Sequence, residues 1–417
     1  MSDPIIKNGY LTALDIGSTK ICCLIARVLS DGSLHIVGDG YAQAKGIKNG
    51  VITHLAEAAA SIQDAIMMAE EKAERRVESV VVNISSTALK SSYVEASIEL
   101  PDNRPVSPGD VKKLIDQALH KIDLTDHEVI HQLPISYTLD GEEDIQEPTN
   151  LYGHHLSVVL HVISVPLTQL RNLVMALERC HVSIAAKVAT PYASGLSVLS
   201  DEEKEVGSTV IDIGGGLTSI GIFTEGFIRY TAMLPLGAHL ITKDIAQILK
   251  TPIPDAERIK TLYGCAFLSP QDKKETINIP LIGEKEDGAL LQISRADLIS
   301  IMIPRIEEML ELTGSYLTAQ DGCDFATRRV VLTGGASLLQ GLREKTNALL
   351  EAQVRLGKPF AINGLPDSPP GASFATCTGL LRYAINRRIQ TNDKEKTTTP
   401  ATNGFLRRMI RWLMQNF

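Results

Sequence analysis

The sequence predicts an α/β protein built from two related lobes, and three observations carry that expectation. With 417 residues, the chain is too long for one hydrophobic core and should divide into about two to four domains. Two segments then match in kind: LDIGSTKICCLI, Leu14 to Ile25, and IDIGGGLTSIGIF, Ile211 to Phe223. Each is an apolar strand that ends in Asp-Ile-Gly, turns through small residues and re-enters an apolar strand. Their aspartates, Asp15 and Asp212, stand close to half a chain apart, the spacing of a duplicated unit.

The first hairpin sets Gly17, Ser18, Thr19 and Lys20 behind Asp15, and the second sets Gly214, Gly215, Gly216 and Thr218 behind Asp212. A glycine-rich turn lets backbone N–H groups approach an anion and form a concave nest. A carboxylate just ahead of the turn can hold hydrated Mg²⁺ that bridges phosphate oxygens. Asp15 and Asp212 are therefore the candidate metal residues, acting through water. Two such hairpins facing each other would clamp the phosphates of one nucleotide between the lobes.

Further segments fit the same chemistry. RRVVLTGGASLLQG, Arg328 to Gly341, reads as a buried strand, a Gly334-Gly335 turn and a helix start at Ala336 and Ser337, a place for a base or an α-phosphate. TPIPDAERIKTLYG, Thr251 to Gly264, reads as a short helix with Pro254 near its start and Gly264 as its stop. Glu257 and Lys260 share one face of it and are candidates for ribose hydroxyls and adenine, the plainer reading being a solvated ion pair. GSTK at Gly17 to Lys20 lacks the earlier glycine of a Walker A loop.

Composition sets limits. A net charge of −8 with only 5% aromatic residues argues against a nucleic-acid surface. The six cysteines form no C-x-x-C pair and read as small hydrophobes of a reducing compartment, with Cys22 and Cys23 in a buried strand. No stretch reaches the roughly 18 apolar residues of a spanning helix, and the N-terminus has no signal-peptide pattern. The chain is expected to be cytosolic.

Between Ser85 and His161 lies an insert predicted as strand, helix, strand, strand, its helix capped by Ser107, Pro108 and Asp110. Within it HEVIH, His127 to His131, formally matches a zinc-protease motif that works only on a helix. Val129, Ile130 and Leu133-Pro134 favour an extended strand, which holds the two histidines about 13 Å apart.

The five segments 14–25, 187–195, 211–223, 257–260 and 331–341 resemble the clan of actin, sugar kinases and heat-shock chaperones in its usual order: phosphate 1, connect 1, phosphate 2, ribose contact, adenosine. The resemblance implies an actin-like, two-lobed, duplicated RNase H-like fold with ATP and Mg²⁺ in the cleft. Within the clan, KGIKNGVI, EVIHQLPISYTLDG, LYGHHLSVVLHVI and ISRADLISIMIPRIEEML look like the FtsA family of bacterial division proteins, over about residues 11–384. That resemblance implies subdomains 1A (1–85 and 162–193), 1C (86–161), 2A (194–243 and 301–386) and 2B (244–300). It also implies filament self-assembly, later division proteins bound through 1C, and the C-terminal peptide of the tubulin-like FtsZ docked on 2B near Arg295 and Arg305. Ser294 and Asp297 read as a helix-capping pair beside Arg295, which makes a plain surface role its alternative.

Hydrolysis in the clan needs a group that orients water, often Glu or Gln near connect 1. KVATPYASG, Lys187 to Gly195, carries Thr190 where many members carry glutamate, and no Asp, Glu or Gln lies between Glu178 and Asp201. ATP binding with slow or undetectable turnover is expected, and no catalytic residue is assigned.

Residues 387–403 are polar and read as a flexible linker, with an end-to-end distance of roughly 20 to 25 Å. GFLRRMIRWLMQNF, 404–417, reads as an amphipathic helix. Phe405, Leu406, Met409, Ile410, Trp412, Leu413 and Phe417 share the apolar side with Met414 and the lone polar Asn416, while Arg407, Arg408 and Arg411 lie opposite. About 21 Å of helix cannot span a bilayer, so the reading is an in-plane anchor on anionic lipid that folds on contact. Such a tail implies a peripheral protein on the cytoplasmic face of the inner membrane, at the septum. A pilus-assembly scaffold resembling PilM and a sugar or acetate kinase are the alternatives, the kinase weakened because no general base stands out.

Overall fold

The computed structural model describes residues 5–101, 104–282, 290–319, 328–366 and 371–396. In chain order the first lobe holds β1 (Tyr10–Ile16), β2 (Lys20–Val28), β3 (Leu34–Gln43), the short pair β4 (Ile47–Lys48) and β5 (Val51–Ile52), α1 (Leu55–Ala73) and β6 (Ser79–Ile84). The insert follows with β7 (Lys90–Glu99), α2 (Pro108–Leu119), β8 (His127–Leu139), β9 (Glu142–Ile145) and β10 (His155–Pro166). Then α3 (Leu167–Arg179) and β11 (Ser183–Ala189) complete the first lobe. The connection α4 (Thr190–Val198) and α5 (Asp201–Val206) leads to β12 (Ser208–Ile213), β13 (Thr218–Thr224), β14 (Phe227–Leu234), α6 (Ala238–Leu249) and α7 (Ile253–Tyr263). Last come β15 (Thr276–Pro280), β16 (Leu290–Ser294), α8 (Arg295–Thr318), β17 (Arg329–Thr333), α9 (Leu342–Leu350), β18 (Gln353–Leu356) and α10 (Ala375–Lys396).

The duplication is explicit in the sheets. The first lobe orders its strands β3-β2-β1-β6-β11 and the second β14-β13-β12-β17-β18. In both, an antiparallel meander of three strands is extended by two parallel ones. Strands buried on both faces should read as unbroken apolar runs, and ICCLIA in β2 does. Ile21, Cys23 and Ile25 face α1 through Ile62 and Ala65. Cys22 and Leu24 face α10 through Leu380 and Leu381. The adjacent cysteines thus serve opposite cores, as the pleat requires.

The insert is a four-stranded sheet, β7-β10-β8-β9, with α2 against it. Ser107 caps α2 in a reciprocal box with Asp110. Residues 127–131 are extended, as expected. The strand β9 was not anticipated; EEDI has too little apolar content to signal one, and it is recruited by pairing with β8. The expected boundaries at 161/162, 193/194, 243/244 and 300/301 fall inside β10, α4, α6 and α8. The expected linker from 387 needs a correction, because α10 continues through Lys396. No glycine or proline stands between Gly379 and Pro400 to end the helix. The expected amphipathic helix, 404–417, lies outside the described residues.

Candidate functional site

Between the lobes a cavity of about 250 Å³ opens where the two Asp-Ile-Gly hairpins meet. Asp15, Gly17, Ser18, Thr19 and Lys20 line it from the first lobe, and Asp212, Gly214, Gly215, Gly216, Gly334 and Gly335 from the second. Each turn is closed by one backbone bond, Gly17 N to Lys20 O at 3.0 Å and Gly214 N to Leu217 O at 2.9 Å. The tips touch: a Cβ on Gly215 would sit 2.3 Å from Thr19 Oγ1, so only glycine permits this approach. The start of α6 braces the second turn, with Ala238 N and His239 N donating to the carbonyls of Gly214 and Gly215 at 3.0 and 2.8 Å. Among the described residues the amides of Ser18, Thr19, Gly215 and Gly216 have no acceptor, which is the donor set an anion nest requires.

Charge is concentrated on three groups. Burial pushes the Asp15 carboxyl up to about 7, with nearby Lys20 opposing and Asp212 reinforcing the shift. Asp212 is also raised by burial, while hydrogen bonds from Ser194 Oγ at 2.5 Å and Thr376 Oγ1 at 3.1 Å hold it lower. Lys20 Nζ donates to Ser373 O at 3.0 Å and lies 5.2 Å from the centre of the Phe374 ring. A cation at Asp15 and Asp212 would relieve their burial in charged form. Among the described residues no three His, Cys, Asp or Glu side chains gather as a metal set, so such an ion would complete its shell with water or phosphate oxygens. The free amides, the glycine tips and the two carboxylates fit a Mg-nucleotide.

Several candidates from the sequence fall elsewhere. Thr218 is buried and donates to Leu236 O at 2.8 Å instead of facing the cavity. Ala336 and Ser337 form a 3₁₀ turn, with Ser337 Oγ donating to Gly334 O at 2.7 Å. Glu257 and Lys260 pair on α7 outside the cavity lining; Glu257 stays exposed, whereas Lys260 is buried and its Nζ also reaches Thr242 Oγ1 at 2.9 Å and Ala238 O at 3.3 Å. Arg295 donates to Tyr263 O at 2.9 Å, Gln340 at 3.1 Å and Asp272 at 2.9 Å, and Arg305 grips Asp244 at 2.7 and 3.2 Å. Both guanidinium groups have internal partners.

The sequence reading missed one wall. Asn83, Ser85 and Ser219 line the cavity together with Thr190, and Ser373, in the 3₁₀ turn before α10, and Thr376, at its start, close it. Asn83 ties itself into the first lobe by accepting from Ile16 N at 2.7 Å. The small residues of GASFATCTG, 371–379, were a usable signal; contact across more than a hundred residues was not. Thr190, at the position expected to lack a water-orienting glutamate, donates to Ile84 O at 3.1 Å. Among the described residues Asp15 and Asp212 are the two carboxylates on the cavity wall.

Two family models match the chain. One, described as cell division protein FtsA, covers residues 209–379, and one, described as an SHS2 domain inserted in FtsA, covers residues 87–164. A cell division protein FtsA of Agrobacterium fabrum is 39% identical over 99% of this chain and 96% of its own length. Counterparts from Pseudomonas aeruginosa and Escherichia coli are 32% and 30% identical, over 99% and 98% of this chain and the same shares of their own. Among solved structures, a PilM–PilN type IV pilus biogenesis complex is similar with a TM-score of 0.62 at 17% identity, covering 90% of this chain and 98% of that one. MreB5 of Spiroplasma citri bound to AMPPNP is similar with a TM-score of 0.55 at 12% identity, covering 94% and 99%. The fold is actin-like.

Proposed function

This chain belongs to the FtsA family of bacterial cell division proteins, and from that premise we propose that it binds ATP with Mg²⁺, self-assembles and tethers FtsZ filaments to the membrane. The observation that carries the nucleotide half is the contact of two glycine hairpins over Asp15, Lys20 and Asp212, with unpaired amides at their tips. When bound, Mg²⁺ supplies charge neutralisation between carboxylate and phosphate. This chain's own part is to hold the phosphates on backbone amides and to set Lys20 against them. Ala336 and Ser337 stand next to Gly335 for the base, and Glu257 and Lys260 stand on α7 against the first turns of α6 for the ribose. With Thr190 in place of a glutamate or glutamine, and the neighbouring Asn83 amide bonded to Ser85 and Thr190, steady-state hydrolysis is expected below about 1 s⁻¹.

The adaptor half rests on the tail and on the family. Residues 404–417 carry the segregated apolar and arginine sides of an in-plane anchor. Each tail binds reversibly, and a filament presents many at once, so assembly strengthens attachment through avidity. FtsZ's C-terminal peptide would dock on 2B beside α8. There Arg295 and Arg305, being internally paired, shape the surface more than they lend it free charge. The 1C insert is the face for later division proteins, and the cytoplasmic side of the septum is the place of action.

The test is co-sedimentation of FtsZ with anionic liposomes, using the full chain and a variant lacking 404–417. The full chain should carry FtsZ into the pellet and the truncated one should leave it in solution. Recruitment that survives the deletion would contradict the adaptor reading. Emission of Trp412, the single tryptophan, should shift to the blue with the same vesicles.

A further inference from the structure

Ser219 is 2% exposed, its hydroxyl has no hydrogen-bond partner, and it lines the cavity between the hairpins. A buried polar group left unpaired is unfavourable and calls for an explanation. Its place in the sheet supplies one. Ser219 stands directly across the ladder from Asp212 on one side and from Met233 on the other. Directly opposed residues of antiparallel strands share a face, so all three belong to the face of the second lobe that meets the first. Met233 Sδ accepts from Ser86 N at 3.2 Å, which brings this row against the loop that follows β6.

The hydroxyl and amide groups opposite are already committed. Thr190 donates its only hydroxyl proton to Ile84 O at 3.1 Å. Ser85 and Thr190 are 2.8 Å apart, so Ser85 is the donor of that pair. Asn83 Nδ2 reaches Ser85 at 3.1 Å and Thr190 at 3.3 Å. The first-lobe row therefore offers the cavity spare lone pairs and no spare proton. Nearer the metal residues, the hydroxyls of Ser194 and Thr376 serve Asp212. Among the buried hydroxyls lining the cavity in the described structure, only that of Ser219 is without a partner.

Building on the nucleotide reading above, we infer that Ser219 is the donor by which the second lobe recognises the terminal phosphate of a nucleoside triphosphate. A diphosphate lacks the group that would meet this hydroxyl, whereas a third phosphate gives it a charged acceptor. The residue then sets the preference for triphosphate over diphosphate and ties that preference to closure of the second lobe on the first. It is a specificity residue and needs no hydrolysis to act.

The experiment measures affinities of the full chain for a non-hydrolysable ATP analogue and for ADP, with Mg²⁺, in wild type, Ser219→Ala and Thr231→Ala. Thr231 is the control: it is equally buried and also unpartnered, on the neighbouring strand, but does not line the cavity. Ser219→Ala should lose about tenfold in triphosphate affinity, the effect of one hydrogen bond to a charged group, with ADP affinity unchanged. Thr231→Ala should change neither, and thermal melting of each variant confirms folding. Wild-type binding with an unaltered triphosphate-to-diphosphate ratio in Ser219→Ala would overturn the inference and leave the nucleotide site standing. Equal losses in both variants would overturn it as a packing effect. Absence of binding by the wild type would overturn the nucleotide reading itself, and this inference with it.

Discussion

The two Asp-Ile-Gly hairpins share strand order, turn chemistry and an aspartate at the same register, yet their aspartates are held differently. Asp212 is fixed between the hydroxyls of Ser194 and Thr376. Asp15 has no hydrogen bond to its carboxylate among the described residues, and its favourable charge partner is Lys20. The second-lobe hairpin is thus locked into the connection α4 and the start of α10, while the first presents a carboxylate whose partner has to come from outside the chain. Duplication supplied two similar frames, and the surroundings divided the labour: one anchors the lobes and one meets the ligand.

Breaking the locked side should have the largest effect. Gly334 has φ +84°, and a Cβ there would meet Asp212 Oδ1 at 2.3 Å and Ile213 O at 2.6 Å. Gly334→Ala should cost on the order of 3 kcal/mol, through strain and displacement of the carboxylate, read as a lower urea midpoint. Asp212→Ala leaves Ser194 and Thr376, whose hydroxyls are 3.1 Å apart, with one acceptor between them and should cost about 1 kcal/mol by the same measurement.

The open side should respond in the opposite sense. Asp15→Asn removes a charge that burial disfavours, so the ligand-free protein should melt at the same or a higher temperature. Mg-dependent nucleotide affinity should fall by about tenfold or more. Equal destabilisation by Asp15→Asn and Asp212→Ala would erase the distinction between the hairpins.

A pH-dependent effect lies at the junction of insert and first lobe. Burial lowers His131 to about 3, and its Nε2 accepts from Ala189 N at 2.9 Å. The ring must stay neutral in the folded protein, whereas in the unfolded chain it titrates near 6.5. Its contribution is therefore complete above about pH 6.5 and is lost as the pH falls toward 3. Urea midpoints should decline over that range, and His131→Gln, which keeps an acceptor but cannot titrate, should flatten the decline.

Much of this was legible because the nucleotide hairpins are local. Asp15 through Lys20 and Asp212 through Gly216 are contiguous segments whose strand, turn and strand pattern is written in periodicity and glycine placement. Gly334 and Gly335 followed for the same reason. What stayed hidden depends on tertiary contact: Asn83, Ser219 and Thr376 are ordinary polar residues until folding brings them to one wall. Helix faces were legible only in part. Glu257 and Lys260 do share a side of α7, but that side is occupied by Thr242 and Ala238. The end of α10 shows a third limit, since a polar composition signals solvent exposure and does not by itself stop a helix.

The central claim is that the two hairpins form one nucleotide site. Calorimetric titration of the full chain with Mg-ATP tests it most directly, with Asp15→Asn and Asp212→Ala alongside. The account predicts one nucleotide per chain, with binding weakened by either substitution. Two nucleotides per chain, each lost with a different aspartate, or no binding at all, would contradict it.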